Sequence, residues 1–71
     1  MTIKDIEQMR NRIRGDIDFY IEVEEDGSTD LIYYKSFDNL IKFVKENYNN
    51  DLTHKNNSNK KIVGVKIWRN N

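Results

Sequence analysis

From Ile17 to Glu24 the chain alternates without a break. Ile17, Phe19, Ile21 and Val23 are apolar, and Asp18, Tyr20, Glu22 and Glu24 are polar, three of them acidic. A strand points successive side chains to opposite faces, so this segment has one apolar face and one acidic face. The alternation lies in a block, 16–30, that holds seven carboxylates and no basic residue, while all twelve Lys and Arg lie elsewhere. One stretch therefore supplies a core-facing surface and a polarised outer surface.

The flanking segments read as follows. Thr2-Ile3-Lys4-Asp5 has the spacing of a helix start, with a hydroxyl three residues before an acid. Ile3, Ile6, Met9 and Ile13 follow at helical spacing, Arg10, Arg12 and Arg14 cluster near the end, and Gly15 is a natural stop. The expected first helix spans 3–14. The first strand covers 16–25 and the second 30–35, joined at Asp26-Gly27, two residues that tolerate positive φ. Ser36 is placed to cap a second helix over 37–48, with Asp38 in its first turn and an apolar stripe of Phe37, Leu40, Ile41, Val44 and Tyr48. The polar, Asn-rich run 49–59 reads as a mobile loop. The last strand covers 60–69.

The expected fold is therefore α+β, in the order α-β-β-α-β. Its three-stranded antiparallel sheet, order 2-1-3, packs against the second helix. The N-terminal helix lies beside the second one or over the edge of the outer face. Matching both faces of the first and last strands sets Tyr20 opposite Gly64, Ile17 opposite Ile67, Phe19 opposite Val65 and Ile21 opposite Val63. The same register sets Asp18 opposite Lys66 and Glu24 opposite Lys60. A two-residue turn turns Ile32 and Tyr34 inward and leaves Leu31, Tyr33 and Lys35 outside, with Lys35 facing Asp18. The expected core is Ile17, Phe19, Ile21, Val23, Ile32, Leu40, Ile41, Val44, Val63, Val65 and Ile67. Ile62 joins the outer face.

Seventy-one residues make a single small domain over 1–71, one that buries only about 60–65% of its unfolded surface. There is no cysteine, hence no disulfide and no thiolate metal site. No apolar run is long enough to span a bilayer, and the N-terminus has no apolar signal-peptide core. The expected location is cytoplasmic, a host's cytoplasm if the chain is viral, with no membrane partner. Formal charge is zero, which gives no global pull towards nucleic acid.

Two surfaces are candidates for binding. The first gathers Tyr20, Glu22, Glu24, Glu25, Asp26, Asp30, Tyr33 and Trp68. Aromatic anchors among charges suit a protein interface. Carboxylates at alternate strand positions repeat every ~6.8 Å and could mimic a row of phosphates. The plainer reading is charge patterning that keeps a sheet face solvated and guards it against edge pairing. The second surface gathers Arg10, Arg14, Lys60, Lys61 and Arg69 as a nucleic-acid contact, with Arg10 and Arg14 one helical turn apart. The plainer reading there is dipole complementation at a helix end.

No metal or cofactor is expected. The 26–30 turn lacks the ligand spacing and closing Glu of a calcium loop. His54, the sole histidine, has no nucleophile pattern near it in sequence. The expectation is a small non-enzymatic binding protein that modulates or inhibits a larger macromolecule, a kind common among phage and mobile-element accessory genes of the anti-defence type. Its protein partner has no identity in the sequence. The alternatives are a nucleic-acid-binding regulator and a self-associating structural subunit.

Overall fold

The computed structural model describes residues 1–13 and 17–69, apart from the Arg69 side chain. Arg14, Gly15 and Asp16, part of the expected helix end and strand start, lie outside the described residues. The elements are α1 (Ile3–Gln8), a 3-10 turn (Met9–Arg12), β1 (Ile17–Glu25), β2 (Ser28–Tyr34), α2 (Phe37–Asn47), β3 (Thr53–His54) and β4 (Asn57–Arg69). They form an antiparallel four-stranded sheet in the order β2-β1-β4-β3. No described helix is long and apolar enough to cross a membrane.

Helix α1 starts where the sequence places it. The Asp5 carboxylate accepts from the Thr2 N–H at 2.7 Å, and the Thr2 hydroxyl accepts from the Asp5 N–H at 3.4 Å. The helix is shorter than the expected 3–14. Ile3, Ile6 and Met9 recur every third residue, a spacing that suits 3-10 winding, and Ile13 is already extended at ψ 123°. Helical geometry therefore ends by Ile13, and the expected sharing of one helix face by Arg10 and Arg14 lies outside the described residues.

Helices α1 and α2 run antiparallel, tied at three points. The Ile3 N–H donates to the Asn50 carbonyl at 3.1 Å. Lys45 lies 3.4 Å from Glu7, and Arg10 lies 2.8 Å from Asp38. Ser36 caps α2 through the Asn39 N–H. Ile6 is buried in the same cluster as Leu40 and Val44 of α2 and Phe19 and Ile21 of β1. Both helices thus cover one face of the sheet, with α1 beside α2 and not over the outer face.

The hairpin forms as its turn residues require. Asp26 and Gly27 have φ of 51° and 86°, values that fit a type I′ turn, whose twist matches the flanking strands. The pairs Phe19–Tyr34, Tyr20–Tyr33, Ile21–Ile32 and Glu22–Leu31 follow. Ile32 and Tyr34 pack against the core, and Leu31 and Tyr33 face outward.

Strand β4 departs from the expected register. It sets Ile17 opposite Arg69, Phe19 opposite Ile67 and Ile21 opposite Val65, two residues along from the expected pairs. A shift of two keeps every side chain on its face, so parity does not distinguish the two registers. Between Glu22 and Val23 the register then changes: Glu22 faces Gly64 and Val23 faces Ile62. Val63 is the extra residue of a β-bulge. Beyond it the parity of β4 inverts. Ile62, expected outside, is buried at 5% exposure, while Val63, expected in the core, is 40% exposed. Ile67, also expected in the core, is exposed as well.

The Asn-rich run is not a mobile loop. Leu52 is buried, with φ of 72°. The Leu52 N–H donates to the Asn49 carbonyl at 2.8 Å, and the Leu52 carbonyl accepts from the Ile62 N–H at 2.9 Å. Tyr48 bridges to His54, and their rings meet edge-on at 5.0 Å. One buried leucine and a ladder of backbone bonds fold the polar run into β3 and the start of β4. The fourth strand arises from this, and the expected order 2-1-3 becomes β2-β1-β4 with β3 added at the edge. The core is correspondingly wider than expected, with Ile6, Phe37, Tyr48, Leu52 and Ile62 added to it.

Candidate functional site

The face of the sheet opposite the helices is built in rows across β2, β1 and β4. Asp18 stands beside Trp68. Tyr20 stands between Tyr33 and Lys66, Glu22 between Leu31 and Gly64, and Glu24 between Thr29 and Lys61. The face thus has an aromatic end, at Trp68, Tyr20 and Tyr33, and a polar end at Glu24. Leu31, Tyr33 and Trp68 are 52%, 48% and 59% exposed. Isolated exposed apolar residues are ordinary; here three large ones stand on one face, Leu31 and Tyr33 on β2 and Trp68 on β4.

Local contacts hold this face in shape. The Tyr20 and Tyr33 rings lie 5.4 Å apart at 56°, within the range of a favourable aromatic pair. The Tyr33 hydroxyl donates to Asp18 Oδ1 at 2.8 Å, reaching diagonally across the strand pair. Lys66 lies 3.5 Å from Glu22. These are partly exposed groups, and an exposed ion pair of this kind adds at most about 1 kcal/mol. Their effect is to orient the side chains and neutralise part of the carboxylate row.

The lysines meet different acids from those the expected register gave. Lys66 pairs with Glu22 and not with Asp18, and Lys60 lies 4.0 Å from Glu25 while Lys61 stands opposite Glu24. The bulge and the two-residue shift account for both changes. Of the eight residues expected at the binding surface, Tyr20, Glu22, Glu24, Tyr33 and Trp68 come together on the open face. Glu25, Asp26 and Asp30 do not join them. Asp26 occupies the turn, and Asp30 stands opposite Val23 on the helix side of the edge strand. Glu25 turns the same way, accepting from Asn57 Nδ2 at 3.3 Å. Its charge adds to burial in pushing the Tyr48 phenol above its ordinary pKa.

Among the described residues the alternative basic surface is not gathered. Arg10 is held by Asp38 on the helix layer, Lys60 faces the helix side, and Lys61 faces the open side. Arg14 and the Arg69 side chain lie outside the described residues. Between the helices a cleft of about 100 Å³ is lined by Glu7, Arg10, Phe37, Asp38 and Ile41. Ligand pockets run to several hundred Å³. His54 Nδ1 accepts from the Asn56 N–H at 3.1 Å, and its ring meets the Tyr48 ring edge-on. Among the described residues, no group of three or more His, Cys, Asp or Glu side chains is arranged to hold a metal ion.

Two features were absent from the expected site. Asp18 takes part through the Tyr33 hydroxyl, a diagonal contact that follows from the hairpin register. Val63 is exposed by the bulge, and its signal was present in Gly64, since an isolated glycine within a strand pattern often marks one. No family model, no curated protein and no solved structure matches this chain.

Proposed function

We propose that this chain is a small non-enzymatic binding protein that modulates or inhibits a larger macromolecule by covering part of its surface, an accessory protein of the phage or mobile-element kind. One observation carries the reading. Both helices pack on the same side of the sheet, so Leu31, Tyr33 and Trp68 stay exposed on the other, with Tyr20 half-buried among them. Rigid aromatic groups bordered by charge supply contact area at low entropic cost, and such residues dominate protein interfaces. The carboxylates of Asp18, Glu22 and Glu24 disfavour nucleic acid on this face, because phosphate repulsion would oppose stacking on the same aromatics.

The test is affinity capture from the native host, read by mass spectrometry, with the unmodified chain beside two variants. Tyr33→Ala/Trp68→Ala removes aromatic area from the open face, and Lys42→Glu alters an exposed residue of α2. A captured protein lost with the first variant and kept with the second supports the reading. Capture that survives the first variant, with its circular dichroism unchanged, overturns it. Binding to DNA or RNA that weakens steeply with salt and is lost on Arg10→Ala or Lys61→Ala would favour the nucleic-acid regulator instead.

A further inference from the structure

Strand β4 is much longer than its outer neighbour. β3 pairs only with the stretch from Asn57 to Lys61, and the Leu52 carbonyl just before it accepts from the Ile62 N–H. From Gly64 to Trp68, β4 is paired with β1 on one side. On the other side no described strand pairs with it. Ile67 and Trp68 are exposed along this stretch, and Val63 at the bulge beside it. A long apolar strand edge is a template for another strand.

The opposite edge of the sheet is guarded. β2 carries Asp30 at mid-strand, pointing to the helix side opposite Val23, and an inward-pointing charge on an edge strand blocks further pairing. The free part of β4 has one charged residue, Lys66, and that charge is already engaged by Glu22 at 3.5 Å.

We infer that Gly64–Trp68 of β4 pairs antiparallel with the same segment of a second copy, across a two-fold axis at Lys66. This centre brings the whole of Gly64–Trp68 into the contact, Gly64 facing Trp68 and Val65 facing Ile67. The bulge at Val63 stops regular pairing on the Asn57 side of this segment. A two-fold axis normal to the sheet makes the contact self-complementary and keeps each side chain on its own face. Val65 then meets Ile67 of the second copy on the helix side. Trp68 meets Gly64 of the second copy on the open side. Nothing lies within 4 Å of the position a Cβ would take on Gly64, so an indole can lie flat over the backbone there. The two Lys66 side chains meet at the axis, and the Glu22 carboxylate 3.5 Å from each offsets part of their repulsion.

About five residues per copy form this contact, far fewer than the 20–30 a side of a standard interface. Association is therefore weak and concentration-dependent. In the dimer the two open faces become one continuous surface with a Trp68 on either side of the axis.

The experiment is sedimentation equilibrium of the full chain from about 10 µM to about 1 mM. Amide hydrogen exchange and Trp68 fluorescence are followed over the same range. The expected result is a mass that rises from 8.6 kDa towards twice that value and levels off. The outward amides of Gly64–Trp68 gain protection at least tenfold, and the indole emission moves to the blue. Ile67→Lys should abolish the rise, and Leu31→Lys should leave it intact. A monomer at every concentration with unchanged exchange overturns the inference. So does a mass that grows past the dimer without levelling, which would mean open pairing between unlike edges. So does an association lost with Leu31→Lys and kept with Ile67→Lys, which would place the contact on the open face. Exchange on the unmodified chain decides the matter if Ile67→Lys fails to fold.

Discussion

Val23 stands opposite Ile62, one residue out of step with the pairing that runs from Ile17 to Glu22. This offset lets two differently phased halves of β4 serve one core. From Val65 to Ile67 the core side of β4 is its odd residues, and from Lys60 to Ile62 its even ones. Replacing Ile62 by Ala should cost about 2–4 kcal/mol, the usual range for a buried aliphatic truncation. Val63→Lys should stay within about 0.5 kcal/mol. Deleting Val63 removes the extra residue and restores unbroken pairing, so the shortened chain should fold with stability within about 1 kcal/mol of the original. Urea midpoints of the three variants check this, and a shortened chain that fails to fold would contradict the role given to Val63.

Leu52 combines a buried side chain with φ of 72°. Left-handed backbone is costly for a residue with a Cβ and free for glycine. Truncating this leucine empties a core position in either case. Only glycine also relieves the backbone. Leu52→Gly should therefore be more stable than Leu52→Ala by about 1 kcal/mol, the reverse of the order found at extended or helical sites. Equal stabilities, or alanine ahead, would mean the backbone relaxes once the side chain is gone.

Much of this fold is legible in the residues. The alternation in β1, the Asp26-Gly27 turn, the Ser36 cap and the stripe of α2 each follow from local chemistry, and each is present. The rest depended on contacts between distant segments. The bulge at Val63 could be read only by weighing Gly64 as a break in a strand that otherwise alternates well. Leu52 is a lone apolar residue in a polar run, and periodicity gives a lone residue no direction. The position of α1 was open because its narrow stripe suits either face of a sheet. For the candidate site, the parity of β1 placed Tyr20, Glu22 and Glu24 together. Glu25 and Asp30 belong to the opposite parity, and their nearness in sequence to the acidic row was misleading.

Arg10 and Asp38 join the two helices at 2.8 Å, with side chains 65% and 67% exposed. Water screens such a pair on both sides. A double-mutant cycle of Arg10→Ala and Asp38→Ala should give a coupling below about 1 kcal/mol that shrinks in high salt. A larger, salt-insensitive coupling would show that the pair is shielded in solution and that helix docking depends on it.

Asp51 accepts from the Thr53 hydroxyl at 2.6 Å and from the Thr53 N–H at 3.1 Å. These bonds, the hydroxyl first, hold its carboxyl below the ordinary range. A group with a depressed folded pKa stabilises above its unfolded value, and that contribution is lost as pH falls through the folded value. Asp51→Ala should therefore destabilise at neutral pH and flatten the acid limb of the stability profile. Thr53→Val should act in the same direction with a smaller effect, since the backbone donor remains. An acid limb unchanged in Asp51→Ala would show that the carboxylate gains nothing from its two donors.

At alkaline pH the relevant groups are Tyr34 and Tyr48, whose phenols are both pushed above the ordinary value. Burial is the larger cause for each. The second cause is Tyr48 for Tyr34, and the Glu25 carboxylate for Tyr48. In the unfolded chain a tyrosine loses its proton near pH 10. Between that point and the higher folded values the native state holds protons that the unfolded state has released. Stability is therefore full below about pH 10 and falls as pH rises through the folded values. Tyr34→Phe/Tyr48→Phe should flatten this loss, whatever it does to stability at neutral pH. Glu25→Gln removes only the secondary cause for Tyr48, so it should reduce the loss less than Tyr48→Phe does. Urea midpoints taken from about pH 8 to pH 11 give the slopes directly. A slope in the Tyr34→Phe/Tyr48→Phe variant as steep as in the unmodified chain would assign the alkaline loss to other groups and leave these two phenols without a part in it.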